Sequence, residues 1–389
     1  EMLRSLVGSE MCIRDRGCPG AFFVGMSLKT LHCSYSCAAF SEWNRPMFAP
    51  LVRPLRATGL LFAVLACSQG VQASSFDCAK AASSSEKALC ADPYTASLDS
   101  QLGKAWKATL AKAKDPKALR LDQREWLKER DQCAADLGCL RSKYLNRLVA
   151  LRYVNVPFEW QGTWQRVSVS PFYTGDLVIR RTGEDRLSFD LSAMGGANSG
   201  SLAGKAQIKG GEASYSVEGC NLRFTQRNGL LQVSQEGDSF ACGAGSGVYY
   251  DGLYVASKQA LESHYDLLST ALVRTEEEDR RARKLLKKDY QTLLDSGSSF
   301  STDTSAELKG AEVTDMWLPG LATTNAAIFV RGTQGQLWVA LLVVAGPKDE
   351  VRVRYYTTEP EWKHSLPDVV ESWYEARSKD KQLPLDMMP

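Results

Sequence analysis

The chain has 389 residues, 44% of them apolar and 24% charged, and its formal net charge is +2. That length fits two or three domains, and the apolar fraction with 9 Trp excludes a wholly disordered chain. The near-neutral balance argues against a nucleic-acid binder; the odd count of 11 cysteines points to metal or redox chemistry, or to an exported chain with disulfides and one cysteine unpaired or lost.

Residues 1–46 show no sustained period and scatter Cys12, Cys18, Cys33 and Cys37 among charges. Their opening, Ser9 to Arg16, resembles translated adaptor read-through, so the segment is expected to be an artefact or a disordered leader. Residues 47–73 read as a signal peptide. Arg53 and Arg56 form a basic start, Ala57 to Ala66 an apolar run, and Val71-Gln72-Ala73 a cleavage site. A lipid anchor at Cys67, after Val64-Leu65-Ala66, is the weaker alternative and would make an outer-membrane lipoprotein. Cleavage after Ala73 predicts a periplasmic or secreted chain with a net charge near −1 and six cysteines. Those are Cys78, Cys90, Cys133, Cys139, Cys220 and Cys242, expected to form three disulfides. No later run is long and apolar enough to span a bilayer.

Residues 74–153 carry helical patterning. Asp92-Pro93 and Asp115-Pro116 are start signals, since Asp caps and Pro at the first position loses no needed N–H. Leu98, Leu102, Ala105, Trp106, Thr109 and Ala113 recur at helical spacing, followed by Leu119, Trp126 and Leu127 on a second helix. Gly138 is expected to break that helix, and Leu140, Tyr144, Leu148 and Leu151 mark a third. Two disulfide patterns are open: a nested pair, Cys90–Cys133 inside Cys78–Cys139, or two local loops, Cys78–Cys90 and Cys133–Cys139. The nested pair is favoured because it would staple a small hairpin.

Within this segment Asp77-Cys78, Glu86 with Cys90, Leu98-Asp99, and Gln123-x-x-Trp126-Leu127-x-x-Arg130-Asp131-x-Cys133 stand at fixed intervals, closed by Cys139, Tyr144 and Arg147. Over residues 76–152 the pattern resembles the LprI-type lysozyme inhibitor N-terminal domain of bacterial envelope proteins. The resemblance implies export, a disulfide-held helical domain and, for some members, inhibition of lysozyme. Read from the residues themselves, Leu98, Trp126 and Leu127 are core, and Asp99, Gln123 and Arg130 a packed polar network.

Over 157–256 the period falls to 2. Eight strand-like runs, with turns at Gly210-Gly211 and Asn228-Gly229, predict an antiparallel barrel or sandwich. Gly162-Thr163-Trp164 is similar to the Gly-x-Trp opening of calycin barrels, where the Trp closes one end. Ser192 to Gly204 reads as a flexible Gly/Ser-rich loop, and Ser246-Gly247-Val248-Tyr249 loosely resembles a Ser-Gly-x-x-Tyr-like inhibitory motif with its spacing shifted by one. Asn198, Ser199, Ser201, Ser246 and Tyr249 are therefore the candidate partner-binding residues.

Residues 257–295 read as one long charged helix or two, with acid-first pairs Glu276–Arg280, Glu277–Arg281 and Asp279–Arg283. Asp295 to Ser305 reads as a linker, and 306–380 as a small α+β domain. The fold class is α+β and multi-domain: a stapled helical hairpin, a barrel or sandwich, and a C-terminal α+β piece. Beyond Ala73 only His264 and His364 occur, far apart in sequence, and Ser84-x-x-Lys87 lacks the partner motifs of a serine–lysine site. No enzyme, cofactor or metal is expected. The favoured role is a lysozyme inhibitor that occludes the enzyme's cleft. The alternative is an interaction module for another envelope protein, and an uncharacterised hydrolase ranks below both.

Overall fold

Four caps made by aspartates order the N-terminal helical turns. A computed structural model describes residues 74–346, 350–379 and 382–389, so the expectations for residues 1–73 lie outside the described residues. Asp77 caps a 3-10 turn at Cys78–Lys80. Helix α1 spans Ser84–Ala91 and starts on a capping box in which Ser83 and Glu86 satisfy each other's backbone N–H. Asp92 ends α1 and caps α2, Pro93–Ala111; Asp115 caps α3, Pro116–Asp131; Asp136 caps α4, Leu137–Leu151. The stripe Leu98, Leu102, Trp106, Leu119, Trp126, Tyr144 and Leu151 forms their common core, and Leu89 of α1 joins it.

Two expectations are corrected here. Gly138 does not break α3; it sits in the first turn of α4, where a Cβ would come within 3.1 Å of the Thr270 carbonyl oxygen. The disulfides are the local pairs Cys78–Cys90 and Cys133–Cys139, not the nested pair. The reason is α1, a helix absent from the hairpin picture. It folds Cys90 back over the 3-10 turn, while Cys133 and Cys139 flank the chain's passage from α3 to α4. The rung between the two ends is a hydrogen bond, from Ser85 Oγ to the Asp131 carbonyl at 3.2 Å.

The middle of the chain closes into an eight-stranded up-and-down antiparallel barrel. Its strands are β1 Gly162–Arg166, β2 Gly175–Arg181, β3 Arg186–Gly195, β4 Asn198–Lys209, β5 Glu212–Val217, β6 Cys220–Arg227, β7 Leu230–Glu236 and β8 Gly252–Ala256. Closure comes from β1 on β8, with Trp164 opposite Ala256 and Arg166 opposite Tyr254. Alternate side chains point inward; β3 buries Leu187, Phe189, Leu191 and Ala193 in turn. At eight strands such side chains fill the interior. Gly204 is needed inside, because a Cβ there would come within 2.6 Å of Tyr215 and 2.8 Å of Phe189, which stack edge-on at 5.2 Å. Trp164 is fully buried near the start of β1, with Phe158 5.4 Å away.

The chain then forms a six-stranded sheet: β9 Ser299–Ser305, β10 Ala311–Trp317, β11 Ala326–Arg331, β12 Leu337–Ala345, β13 Glu350–Thr357 and β14 Leu385–Met387, in that order. Helices α5, Glu276–Leu286, and α6, Asp289–Asp295, belong to the core on one face; α7, Asp368–Ser378, belongs to the core on the other. That burial on both faces explains the unbroken apolar run of β12.

Three further expectations fail here. Residues 257–275 are not helical. Asp266, Ser269 and Thr270 bond the local backbone instead, as when Asp266 Oδ1 accepts from the Ser269 N–H at 2.6 Å. Such bonds compete with helix formation. Of the expected ion pairs only Asp279–Arg283 forms, at 2.6 Å, while Arg280 turns to Glu277 and Arg281 donates to the Gly335 carbonyl. The supposed linker is strand β9 from Ser299, paired along its length with β10. Its Ser/Thr/Asp composition belongs to an exposed edge strand, which polar residues protect from mispairing.

Candidate functional site

Six motif residues of the helical layer, Asp99, Gln123, Trp126, Arg130, Tyr144 and Arg147, converge in a buried cluster. The Tyr144 hydroxyl donates to Asp99 at 2.9 Å and accepts from Arg130 at 3.2 Å. Trp126 lies edge-on to Tyr144 at 5.4 Å, with the Arg130 and Arg147 guanidiniums 6.0 and 5.9 Å from its ring. Arg147 donates to Gln123 at 2.8 Å and to Asp122 at 2.7 Å. Burial, and after it the charge of Asp99, pushes the Tyr144 hydroxyl far above its ordinary range. It therefore stays a neutral donor. Leu127 packs at the margin of the core. Asp77 and Glu86 are caps, each satisfying backbone N–H groups. These groups satisfy one another inside the fold, and their arrangement is that of a structural clamp.

Sequence reading missed four members of the clamp: Asp92, Asp122, Arg141 and Arg227. Arg141 is fully buried and pairs with both Asp92 oxygens at 2.8 Å; it also donates to the carbonyls of Leu268 and Val273. Burial raises the Asp92 carboxyl, but the charge of Arg141 and the hydrogen bonds from Thr95 and Arg141 outweigh it, so the group sits below its usual value. Arg227 of β6 reaches Asp122 across to the helices. These partners stand 49 and 105 residues apart, and nothing local marks them.

The candidate partner-binding residues gather at the opposite end of the barrel. There the β3–β4 turn, the β5–β6 turn and the connection 237–251 come together. Asn198 Nδ2 donates to the Ser246 carbonyl at 2.9 Å, and the Gly245 N–H to the Ser199 carbonyl at 3.0 Å. Ser199, Ser201, Ser246 and Tyr249 are exposed. Ser192 to Gly204 is no flexible loop: it runs from β3 into β4 through a two-residue turn. Its glycines permit close packing, since a Cβ on Gly200 would come within 2.8 Å of the Tyr250 hydroxyl. The turn itself is docked, with the Ala197 N–H on the Pro319 carbonyl at 3.0 Å.

The connection 237–251 plugs the barrel mouth with Cys242, Ala244, Val248 and Tyr250, all buried. The disulfide Cys220–Cys242 ties it to β6. One side chain stands out of it. Phe240 is 71% exposed at the tip of a tight turn, held by Ala241 N–H to Asp238 at 2.7 Å and Gly243 N–H to Phe240 carbonyl at 3.0 Å. Val217, at the end of β5, and Tyr249, in the same connection as Phe240, are also exposed apolar side chains at this end of the barrel. The connection carries two acids, Asp238 and Asp251, follows Glu236 at the end of β7, and has no lysine or arginine. Phe240 was missed in the sequence; its signal is an aromatic in a Gly/Asp/Ser turn two residues before a cysteine.

Among the described residues no cluster of three or more His, Cys, Asp or Glu could hold a metal ion, and no helix is long and apolar enough to cross a membrane. Ser84 and Lys87 are both exposed on α1. No curated protein and no solved structure matches the chain. A segment of it, residues 78–173, matches the family model described as Lysozyme inhibitor LprI, which covers the helical layer, β1 and the connection that follows.

Proposed function

We propose that the protein is exported to the bacterial envelope and inhibits a lysozyme, without catalysis of its own, by laying the barrel rim around Phe240 over the enzyme's cleft. The observation that carries the reading is the family match across residues 78–173. Three disulfides support an oxidising compartment. The site is inferred from the rim. Phe240, Val217 and Tyr249 offer apolar contact on a cross-linked frame, so little ordering entropy is lost on binding. The acidic connection suits a basic partner and assists encounter.

The test mixes purified protein with c-type, g-type and i-type lysozymes and follows lysis of cell-wall substrate. The expected result is inhibition of one class, weakened by Phe240→Ser. Unchanged lysis at micromolar excess of the protein would sink the reading. A second reading is that the rim binds a different envelope protein. It is favoured by one fact: the family match ends at residue 173, before any rim residue from 194 onward. Recovery from periplasmic extract of an endogenous partner that F240S fails to capture, with no effect on lysis, would select it.

A further inference from the structure

We propose that a cavity beside the barrel, lined by none of the rim residues, binds a short neutral oligosaccharide. The cavity, about 480 Å³, lies where the first turn of α4, the β1–β2 connection, the segment 265–274, the edge strand β9 and its neighbour β10 meet. Its size falls in the range of small-molecule sites, roughly 300–1,000 Å³.

Its walls are aromatic and hydroxylated. Tyr173, Tyr265 and Phe300 line it. Tyr265 is fixed by its hydroxyl on the Gly297 carbonyl at 2.6 Å and by Phe172 packed edge-on at 5.4 Å. Phe300 stands on the edge strand and is 39% exposed. Two residues along the same face is Thr302, directly opposite Thr314 on β10. Among the described residues neither threonine hydroxyl has a hydrogen-bond partner, although Thr314 is otherwise buried. A pair of free hydroxyls beside an aromatic face matches a sugar, which presents C–H groups on one side and hydroxyls at its edge.

The charges nearby are already spent. Arg274 grips both Glu312 oxygens at 2.7 Å, and Arg331 adds a third bond at 2.7 Å. Asp136 occupies the N-terminus of α4, accepting from the Cys139 N–H at 3.0 Å. An anion would therefore meet a carboxylate where a bare helix end would have attracted it. A neutral, polyhydroxylated ligand is the chemistry left. This inference does not rest on lysozyme inhibition, since the rim and the cavity share no residue.

The test titrates the full chain with chitotriose, cellotriose and maltotriose by saturation-transfer NMR and calorimetry, with hydrogen exchange read on the complex. One sugar is expected to bind saturably and to protect 265–274 and 299–305 from exchange. Phe300→Ala and Thr302→Val, both at exposed positions, are each expected to weaken it about fivefold to tenfold. Their thermal midpoints should stay at the parent value, and lysozyme inhibition should not change. No saturable signal from any sugar overturns the proposal. So does binding that both variants leave intact, or protection confined to other segments.

Discussion

The two ends of the barrel meet different surroundings. At one end the Asn228-Gly229 turn is seated on the helical layer. A Cβ on Gly229 would come within 2.6 Å of the Val156 carbonyl oxygen, and Leu230 and Val255 enter the helical core. Charges there are paired and buried. At the other end a 15-residue connection closes the mouth from within, yet leaves Phe240 and Tyr249 in water. Exposed apolar patches mark interaction sites more often than folding contacts, which is why recognition is proposed for that end. The first end is built into the fold, and the second is the proposed recognition surface.

The largest blow to the seated end is Asp122→Ala. It strands Arg147, which is buried, and removes the partner of Arg227 on β6. Leaving a buried charge unpaired costs about 3–5 kcal/mol. A urea titration should show that loss; a change under 1 kcal/mol would show that the clamp is not holding the barrel to the helices. Next comes the rim staple. Cys220→Ser with Cys242→Ser should cost roughly 2–4 kcal/mol. It should also raise hydrogen exchange in 237–251 while the helices keep their protection. Equal loosening at both ends would erase the distinction between them.

Acid should act on the clamp through Asp92. Its carboxyl is held below its unfolded value near 3.9, so its contribution is complete above that value and is lost as pH falls through the folded one. Urea midpoints measured from pH 7 to pH 2 should fall below about pH 4, and Asp92→Asn should flatten that part of the curve. An unchanged acid limb in D92N would assign the loss to other carboxylates.

Local rules made much of this fold legible. Aspartate–proline starts placed α2 and α3 within a residue, and period-2 alternation found eight strands because each barrel strand has one wet face. The errors arose where a local pattern met a distant partner. Leu261, Tyr265, Leu268 and Leu272 keep helical spacing, but side chains of the same segment bond its backbone and the chain runs irregular. Ser192 to Gly204 read as a loop because small residues mark loops; here they mark contact between a strand and the connection crossing it. The buried motif residues Asp99, Gln123, Trp126, Arg130, Tyr144 and Arg147 form only part of the clamp, which also takes in Asp92, Asp122, Arg141 and Arg227, whose pairings only the fold supplies. At the rim, the shifted inhibitory-like motif led to Ser246 and Tyr249, while Phe240 was marked only by its place in a Gly/Asp/Ser turn two residues before Cys242.

Phe240→Ser should therefore have the smallest effect on the fold and the most selective one on function. The side chain is 71% exposed, and its turn is held by backbone groups, Asp238 and the disulfide, all of which the substitution leaves in place. Stability should change by no more than about 0.5 kcal/mol. An aromatic at the centre of an interface commonly contributes 2 kcal/mol or more to binding, about thirtyfold in affinity. The decisive measurement is the pair, a urea midpoint and a partner titration on the same preparation. A stable F240S that binds at full strength would move recognition off the rim. A destabilised one would show that Phe240 packs in solution, and the two ends of the barrel would then be alike.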